Sequence, residues 1–227
     1  MPSKPKTRPP LAARRPKRTP KPKKRTAAPR ARIAAVSVGA VRRPTPPSVL
    51  MTSVDTLEFA RSKIRDVPDF PRPGILFKDI TPLLASPRAF HIVLDALAER
   101  FIGEHIDAIV GIEARGFIFG AALAARLNAS FVPARKPGKL PGDTDSVRYD
   151  TEYSTASLEM NRDSIVEESR VVVVDDLLAT GGTALASAEL VRMQGGYVVA
   201  YAFVVELGFL GGREKLLPVR VESVLRY

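Results

Sequence analysis

The sequence lacks cysteine and tryptophan and has only two histidines, His91 and His105. Without cysteine, a disulfide framework, a thiolate nucleophile and a thiolate-bound metal are all excluded. Two histidines are also too few for a histidine-rich metal cluster. No apolar run approaches the roughly 20 residues that span a membrane, so we expect a soluble, cytoplasmic protein. The length of 227 residues allows one α/β domain or two small ones.

Acidic residues are missing from residues 1–50, which hold 15 of the 35 Lys and Arg residues and 11 of the 20 prolines. All 24 acids lie in residues 51–227, so the basic charge of the chain belongs to the first segment. Proline has no N–H and fixes φ, and large apolar residues are few in this segment. We therefore predict a disordered, basic, proline-rich extension over 1–50 and one domain over 51–227.

Several roles for the basic extension stay open. It can be a solvated tail, or sequence upstream of a true start at Met51. It can make weak electrostatic contact with nucleic acid or another anionic surface. A targeting peptide is the third interpretation, but the prolines prevent the amphipathic helix that a transit peptide needs.

Apolar strands alternate with helical patterns through residues 51–227. We predict helices over 54–67, 89–101 and 184–194, a loop that turns into a helix over 113–127, and strands over 107–112, 130–136, 170–176 and 197–207. Strands that are apolar throughout and separated by helices indicate a parallel sheet covered on both faces. The predicted fold is therefore α/β, a mostly parallel twisted sheet flanked by helices, with residues 171–174 in the central strand.

One long segment, residues 136–160, interrupts this alternation with Pro, Gly and polar residues. A loop of this length is uncommon in a compact domain and is often an active-site lid. We predict a flexible lid here, which can contain an extended hairpin.

The stretch "VVVVDDLLATGGTA" places two acids, Asp175 and Asp176, at the end of a buried strand. The carboxyl ends of parallel strands are where ligands bind in open α/β sheets. The following residues 179–183 contain two glycines and two threonines before a helix, and backbone N–H groups at a helix N-terminus hold phosphate. The two acids can accept hydrogen bonds from vicinal hydroxyls, so the motif predicts a site for a phosphorylated ribose.

The same stretch resembles the signature of the type I phosphoribosyltransferases, which use 5-phosphoribosyl-1-pyrophosphate. Three further segments, "DFPRPGILFKDITPLL", "GIEARGFIFG" and "RKPGKLPG…YDTEYSTASLEM", resemble the adenine-specific members of that family. The resemblance implies the family fold with its lid, and transfer of the phosphoribosyl group to adenine to give AMP and pyrophosphate in purine salvage. It also implies a homodimer and Mg²⁺ bound mainly through the sugar diphosphate and water, with no direct protein ligand.

The resemblance assigns a role to each matching residue. Asp175 and Asp176 face the ribose hydroxyls, and Arg115 lies beside the pyrophosphate. Glu152 in the lid handles a proton at the purine as a general acid or base. The other matching residues contact substrate: Leu76, Phe77 and Lys78 form the base pocket, Arg135, Lys136 and Lys139 surround pyrophosphate, Tyr153 neighbours Glu152, and Ala179, Thr180, Gly181, Gly182 and Thr183 hold the 5′-phosphate.

A second class of protein fits part of the same pattern. Some phosphoribosyltransferase-like domains are transcriptional regulators that sense the sugar diphosphate and bind DNA. Such a regulator needs a folded DNA-reading module, and residues 1–50 lack the apolar periodicity for one. The segment of the base pocket and Glu152 favour the enzyme.

Overall fold

A computed structural model describes residues 53–150 and 155–227. The helices are α1 (Ser53–Arg61), α2 (Thr81–Leu84), α3 (Pro87–Glu99), α4 (Gly116–Leu127), α5 (Gly182–Met193) and α6 (Gly212–Leu216). The strands are β1 (Arg65–Pro68), β2 (Leu76–Asp79), β3 (Ala108–Ile112), β4 (Ser130–Ala134), β5 (Thr144–Asp150), β6 (Thr155–Asn161), β7 (Arg170–Leu178), β8 (Tyr197–Glu206) and β9 (Arg220–Arg226). The predicted extension over 1–50 lies outside the described residues, so the division of the chain at residue 50 stays a prediction.

Five of the strands form one parallel sheet in the order β4-β3-β7-β8-β9. β7 is central: Val173 pairs with Val110 of β3 on one side and with Tyr201 of β8 on the other. The four valines at 171–174 are fully buried, as a strand covered on both faces requires. The predicted α/β fold with a parallel sheet is confirmed.

Helices cover both faces of this sheet. Val172 and Val174 face a core built with α1, α3 and α4. Val171 and Val173 point the other way, toward α5 and β6, because successive strand residues alternate between faces. Within the described ranges, no helix is both long enough and apolar enough to cross a membrane.

The first predicted helix was too long. α1 ends at Arg61, and Arg65–Pro68 forms β1 instead of the last helical turn. β1 pairs in antiparallel register with β2, so that Asp66 opposes Lys78. This long-range pairing outweighs the weak local helix preference of four residues.

The segment 136–160 contains regular structure. β5 and β6 pair in antiparallel register from Thr144 with Asn161 to Asp150 with Thr155. The described part of the predicted lid is therefore largely a hairpin, which the prediction for this segment allowed. The strand β9, which forms one edge of the sheet, was not predicted. The short helix α6 before it was not predicted either.

Candidate active site

The two acids of the central strand lie where its hydrogen bonding to one neighbour ends. Along β3, the last register pair is Gly111 with Val174, whereas pairing with β8 continues to Leu178. Asp175 and Asp176 therefore stand inside β7, a little before its end, where β3 no longer covers that edge. This is also the point from which the strand order runs in both directions, which is the usual ligand position in an open α/β sheet.

Residues 179–183 form a turn that leads directly into α5. Gly181 adopts φ of +78°, a conformation that favours glycine, and α5 begins at Gly182. The first N–H groups of a helix have no intrahelical acceptor, so they are available to an anion. With Asp175 and neighbouring residues, this turn lines a small cavity of about 80 Å³. The arrangement suits a phosphate group.

Burial and mutual repulsion control the charge of the two acids. Burial raises the pKa of Asp175 well above its usual range, and the charge of Asp176 adds to this shift. Burial also raises the pKa of Asp176, while the nearby guanidinium of Arg115 opposes that shift. One carboxylate oxygen of Asp175, Oδ1, accepts a hydrogen bond from the backbone N–H of Asp176 at 2.8 Å.

Asp176 keeps an acceptor available. Its side chain is only 5% exposed, and its Oδ2 lies 2.8 Å from Nε of Arg115. Nevertheless Oδ2 has no hydrogen-bond partner among the described residues, so the contact is an ion pair without an aligned N–H. A buried acceptor without a donor is costly, and a ligand hydroxyl can satisfy it.

Arg115 also connects the acids to the predicted base pocket. Its guanidinium lies 5.4 Å from the ring centre of Phe77, and Phe70 packs against the same ring at 5.1 Å. Leu76 is 48% exposed. The side chain of Phe77 can therefore offer an aromatic surface beside Arg115, the same cation that contacts Asp176.

Lys78 turns its side chain away from this site. Its Nζ lies 2.6 Å from Oδ1 of Asp66 and 4.0 Å from the ring centre of Tyr227. Because side chains alternate along a strand, Phe77 and Lys78 point to opposite faces of β2. A contact between Lys78 and a base would therefore have to use its backbone.

The basic segment 135–139 lies beside the loop that follows β3. Arg135 donates from Nη2 to Oε1 of Glu113 at 2.6 Å and from Nη1 to the carbonyl of Lys139 at 2.7 Å. Glu113 also accepts the backbone N–H of Lys136 at 3.0 Å. The hydrogen bond from Arg135 holds the pKa of Glu113 below its usual range.

This basic segment is also joined to the hairpin. The backbone groups of Arg135 and Glu159 exchange two hydrogen bonds, at 2.8 and 2.7 Å. The side chains of Lys136 and Lys139 are exposed, and neither ammonium has a carboxylate partner among the side chains that the structure describes. They are the open cations of this part of the molecule, whereas Arg135 is already paired.

The structure thus brings together several motifs that are far apart in the sequence. Arg115 contacts both Phe77 and Asp176. Asp175 borders the cavity that the 179–183 turn forms. Glu152 and Tyr153 lie outside the described residues. Glu113 was missed as an individual residue, although it stands in the quoted segment "GIEARG"; its acidic side chain between two cationic motifs was the available signal.

Comparison with known proteins agrees with this geometry. The phosphoribosyl transferase domain matches residues 80–221, and the chain belongs to the phosphoribosyl transferase family. The chain is also similar to the adenine phosphoribosyltransferase of Sorangium cellulosum, with 66% identity over 166 residues, which cover 73% of this chain and 83% of that protein.

Solved structures of adenine phosphoribosyltransferases share the fold. That of Thermoanaerobacter pseudethanolicus has a TM-score of 0.74 and 52% identity, covering 76% of this chain and all of the other. That of Saccharomyces cerevisiae, solved with adenine and an imino-altritol bisphosphate, has a TM-score of 0.71 and 40% identity, covering 75% of this chain and 99% of the other.

Proposed function

We propose that this protein is an adenine phosphoribosyltransferase, which transfers the 5-phosphoribosyl group from 5-phosphoribosyl-1-pyrophosphate to adenine. The products are AMP and pyrophosphate, and the reaction is one of purine salvage. The observation that carries the proposal is a series of contacts between groups that suit each part of the substrates: Phe77 contacts Arg115, Arg115 contacts the acid pair, and Asp175 lines one cavity with the 179–183 turn. The aromatic ring suits a purine, the cation a pyrophosphate, the acids a ribose and the turn a 5′-phosphate, and the purine and pyrophosphate both meet the ribose at its anomeric carbon.

Asp175 and Asp176 bind the ribose hydroxyls in this proposal. Oδ2 of Asp176 is buried and has no hydrogen-bond donor among the described residues, so a ribose hydroxyl gives it one. The carboxylates also place negative charge beside the sugar. An oxocarbenium-like transition state carries positive charge at the anomeric carbon, and fixed charge of opposite sign stabilises it.

The 179–183 turn holds the 5′-phosphate and keeps the sugar fixed while its anomeric bond breaks. Ala179, Thr180, Gly181, Gly182 and Thr183 supply backbone N–H groups and two hydroxyls. Because the N-terminus of α5 carries partial positive charge, the phosphate is favoured there without a lysine in the turn.

Cationic side chains stabilise the pyrophosphate as it leaves. Arg115 lies beside the acid pair, and Lys136 and Lys139 offer exposed ammonium groups. Arg135 is paired with Glu113, so its side chain serves to hold the basic segment in place. Charge that is already positioned when the bond breaks needs no reorganisation, which is the origin of its catalytic effect.

Mg²⁺ fits this site as a partner of the substrate. Among the described residues, no cluster of three or more His, Cys, Asp or Glu side chains is arranged to hold a metal. Mg²⁺ prefers water and phosphate oxygens with few protein ligands, so the sugar diphosphate and water can carry it. When bound, it neutralises charge on the pyrophosphate.

Glu152 and Tyr153 belong to the proposed lid between β5 and β6. We assign to Glu152 the exchange of a proton with the purine and to Tyr153 a contact beside it. Closing a lid excludes water, which would otherwise capture the reactive sugar. The assignment rests on the sequence motif "TEY" alone.

Assembly and location complete the proposal. We propose that the protein is a homodimer in the cytoplasm. The resemblance to adenine-specific phosphoribosyltransferases includes the basic segment 135–139, and in that family basic residues of this segment reach across the interface between two subunits. Weak contact between residues 1–50 and nucleic acid stays part of the proposal, since the segment holds 15 basic residues and no acid.

A base-selectivity assay tests the function directly. The protein is incubated with 5-phosphoribosyl-1-pyrophosphate, Mg²⁺ and labelled adenine, hypoxanthine or guanine in parallel. We expect AMP from adenine and little nucleotide from the other two bases. Nucleotide formed chiefly from hypoxanthine or guanine would show a different base specificity, and binding of the sugar diphosphate without any product would favour the regulator.

A further inference from the structure

The phosphate turn rests on a short helix behind it. A Cβ added to Gly212 of α6 would collide with the backbone carbonyl oxygen of Ala179. A Cβ at Gly181 would lie 3.0 Å from the carbonyl oxygen of Gly212 and 3.5 Å from Leu216. The backbones of the turn and of α6 are therefore in direct contact, so the position of α6 limits where the phosphate N–H groups can lie.

α6 is held in turn by a buried ion pair. Glu206, the last residue of β8, has a side chain only 1% exposed. Its Oε1 accepts from Nε of Arg213 at 2.9 Å, and its Oε2 accepts from Nη2 at 2.6 Å. Two parallel bonds between a guanidinium and a carboxylate fix the direction of the side chain as well as its distance.

Further bonds tie the same arginine and the same strand end into the sheet. Nη1 of Arg213 donates to the carbonyl of Val221 in β9 at 2.8 Å. Glu206 lies opposite Leu178 in the register of β7 and β8, and Leu178 immediately precedes the phosphate turn. Arg213 therefore joins the edge of the sheet to the helix that backs the turn.

From this arrangement we infer that Arg213 and Glu206 are positioning residues for the 5′-phosphate, acting through the contact of α6 with Ala179 and Gly181. Neither residue lines the phosphate cavity. The inference rests on the proposed function, because it takes the 179–183 turn to bind the 5′-phosphate of the sugar diphosphate and of AMP.

Arg226 provides a matched control on the same carboxylate. Its Nε lies 3.1 Å from Oε1 of Glu206, but Arg226 belongs to β9 and its side chain is 60% exposed. Removing its charge leaves both bonds between Arg213 and Glu206 in place. Arg226→Gln should therefore change the charge around Glu206 without releasing α6.

The experiment compares Arg213→Met, Arg213→Lys and Arg226→Gln with the wild type by calorimetric titration. The ligands are AMP, ribose 5-phosphate and pyrophosphate. We expect Arg213→Met to weaken AMP and ribose 5-phosphate by about 10- to 100-fold, the loss that a misplaced binding group produces, with pyrophosphate binding unchanged. Arg213→Lys should recover part of the loss, and Arg226→Gln should bind like the wild type.

Gly212→Ala tests the same contact without touching the ion pair, should Arg213→Met fail to fold. Its added methyl pushes on Ala179, so it should weaken the two 5′-phosphate ligands and spare pyrophosphate. Equal weakening of all three ligands, or none, in the folded variants would overturn the inference. If the wild type itself binds neither AMP nor ribose 5-phosphate, the proposed function fails, and the inference fails with it.

Discussion

Two neighbouring strands of this sheet, β7 and β8, carry acids near their carboxyl ends. The pKa values of these acids are shifted in opposite directions. In β7, burial raises the pKa of Asp175 well above its usual range. In β8, two bonds from Arg213 hold the pKa of Glu206 below its usual range, although its side chain is only 1% exposed. The strands are hydrogen-bonded to each other, so the difference comes from the partners that each acid is given.

The opposite pKa shifts indicate that Glu206 has a structural role, in contrast to Asp175 and Asp176. Glu206 has its charge matched inside the protein, so its environment is complete without a ligand. Asp175 and Asp176 share one cation, Arg115, and Oδ2 of Asp176 has no hydrogen-bond partner among the described residues. Acids kept in an incomplete environment cost stability and are typical of functional sites. The ligand completes what the fold leaves open.

Neutralising the acids of β7 should have the largest effect and tests most directly whether they differ from Glu206 in function. Asp175→Asn with Asp176→Asn should lower turnover by at least about 1,000-fold, or about 4 kcal/mol in the barrier, because the fixed charge beside the sugar is lost. Steady-state kinetics with adenine and the sugar diphosphate measure it, and circular dichroism checks that the fold survives. Turnover close to wild type in the folded double variant would remove the acids from the mechanism.

Neutralising the acid of β8 should lower stability, in addition to its effect on the 179–183 turn through α6. Glu206→Gln leaves Arg213 without its counter-charge, and breaking a buried pair costs about 3 to 5 kcal/mol. Since the Arg213 side chain is 31% exposed and can reach water, we expect a loss below this range, about 2 to 3 kcal/mol. Urea unfolding measures it. Glu222→Gln in β9, whose ion pairs are longer at 3.5 Å, is the control and should lose much less; equal losses would contradict the assignment.

A single substitution in β7 should raise the free energy of unfolding, whereas Glu206→Gln in β8 should lower it. Asp175→Asn should stabilise the ligand-free protein at neutral pH by about 1 to 2 kcal/mol, because the amide replaces a charge that burial disfavours. Its oxygen can still accept the bond from the backbone N–H of Asp176. Thermal unfolding measures the gain. Asp176→Asn should gain less, since it also deprives Arg115 of its partner.

The pH dependence follows from the raised pKa of Asp175. The folded state holds this proton more tightly than the unfolded state, so the contribution of the acid to stability falls as pH rises above its ordinary value of 3.8. The advantage of Asp175→Asn over the wild type should therefore shrink on acidification and vanish below that value. An advantage that grows toward acidic pH would mean that the acid is stabilised by the fold.

Local patterns were sufficient to predict the centre of the fold and to suggest residues for the site. The valines at 171–174 indicated a buried parallel strand, and the acids and glycines that follow indicated a phosphate and ribose site. Both signals are local in sequence, because strand burial and helix N-termini depend on adjacent residues. The central position of β7 is as expected, and Asp175 lines one cavity with residues 179–183.

Features that depend on distant partners could not be predicted in the same way. The helix predicted over 54–67 includes most of β1, because the partner strand that makes this segment extended, β2, comes later in the chain. Nothing next to Lys78 in the sequence indicates that its side chain binds Asp66 and Tyr227. The bond between Glu206 and Arg213 also depends on the unpredicted α6. Long-range pairing decides these positions, and single-sequence patterns carry little information about it.

A third carboxylate, Asp79 at the end of β2, should give the smallest effect and complete the comparison. Its Oδ2 binds Arg65 at 2.5 Å, and its Oδ1 accepts the backbone N–H of Thr81 at 2.8 Å. Hydrogen bonds from the side chain and backbone of Thr81, followed by that from Arg65, lower the pKa of Asp79 to about 2. It is thus satisfied by the fold, as Glu206 is, but it lies near the surface.

We expect Asp79→Asn to cost about 0.5 to 1 kcal/mol, the usual worth of a helix-start acceptor together with an exposed ion pair. The sign of its pH dependence is opposite to that of Asp175. Because the folded pKa is lowered, its contribution is present above the ordinary value of 3.8 and is lost as pH falls toward about 2. Urea unfolding of the wild type and Asp79→Asn between neutral pH and pH about 2 should therefore show a difference that closes on acidification. A difference that widens in acid would place Asp79 with the acids of β7, which the fold leaves unsatisfied, instead of with Glu206.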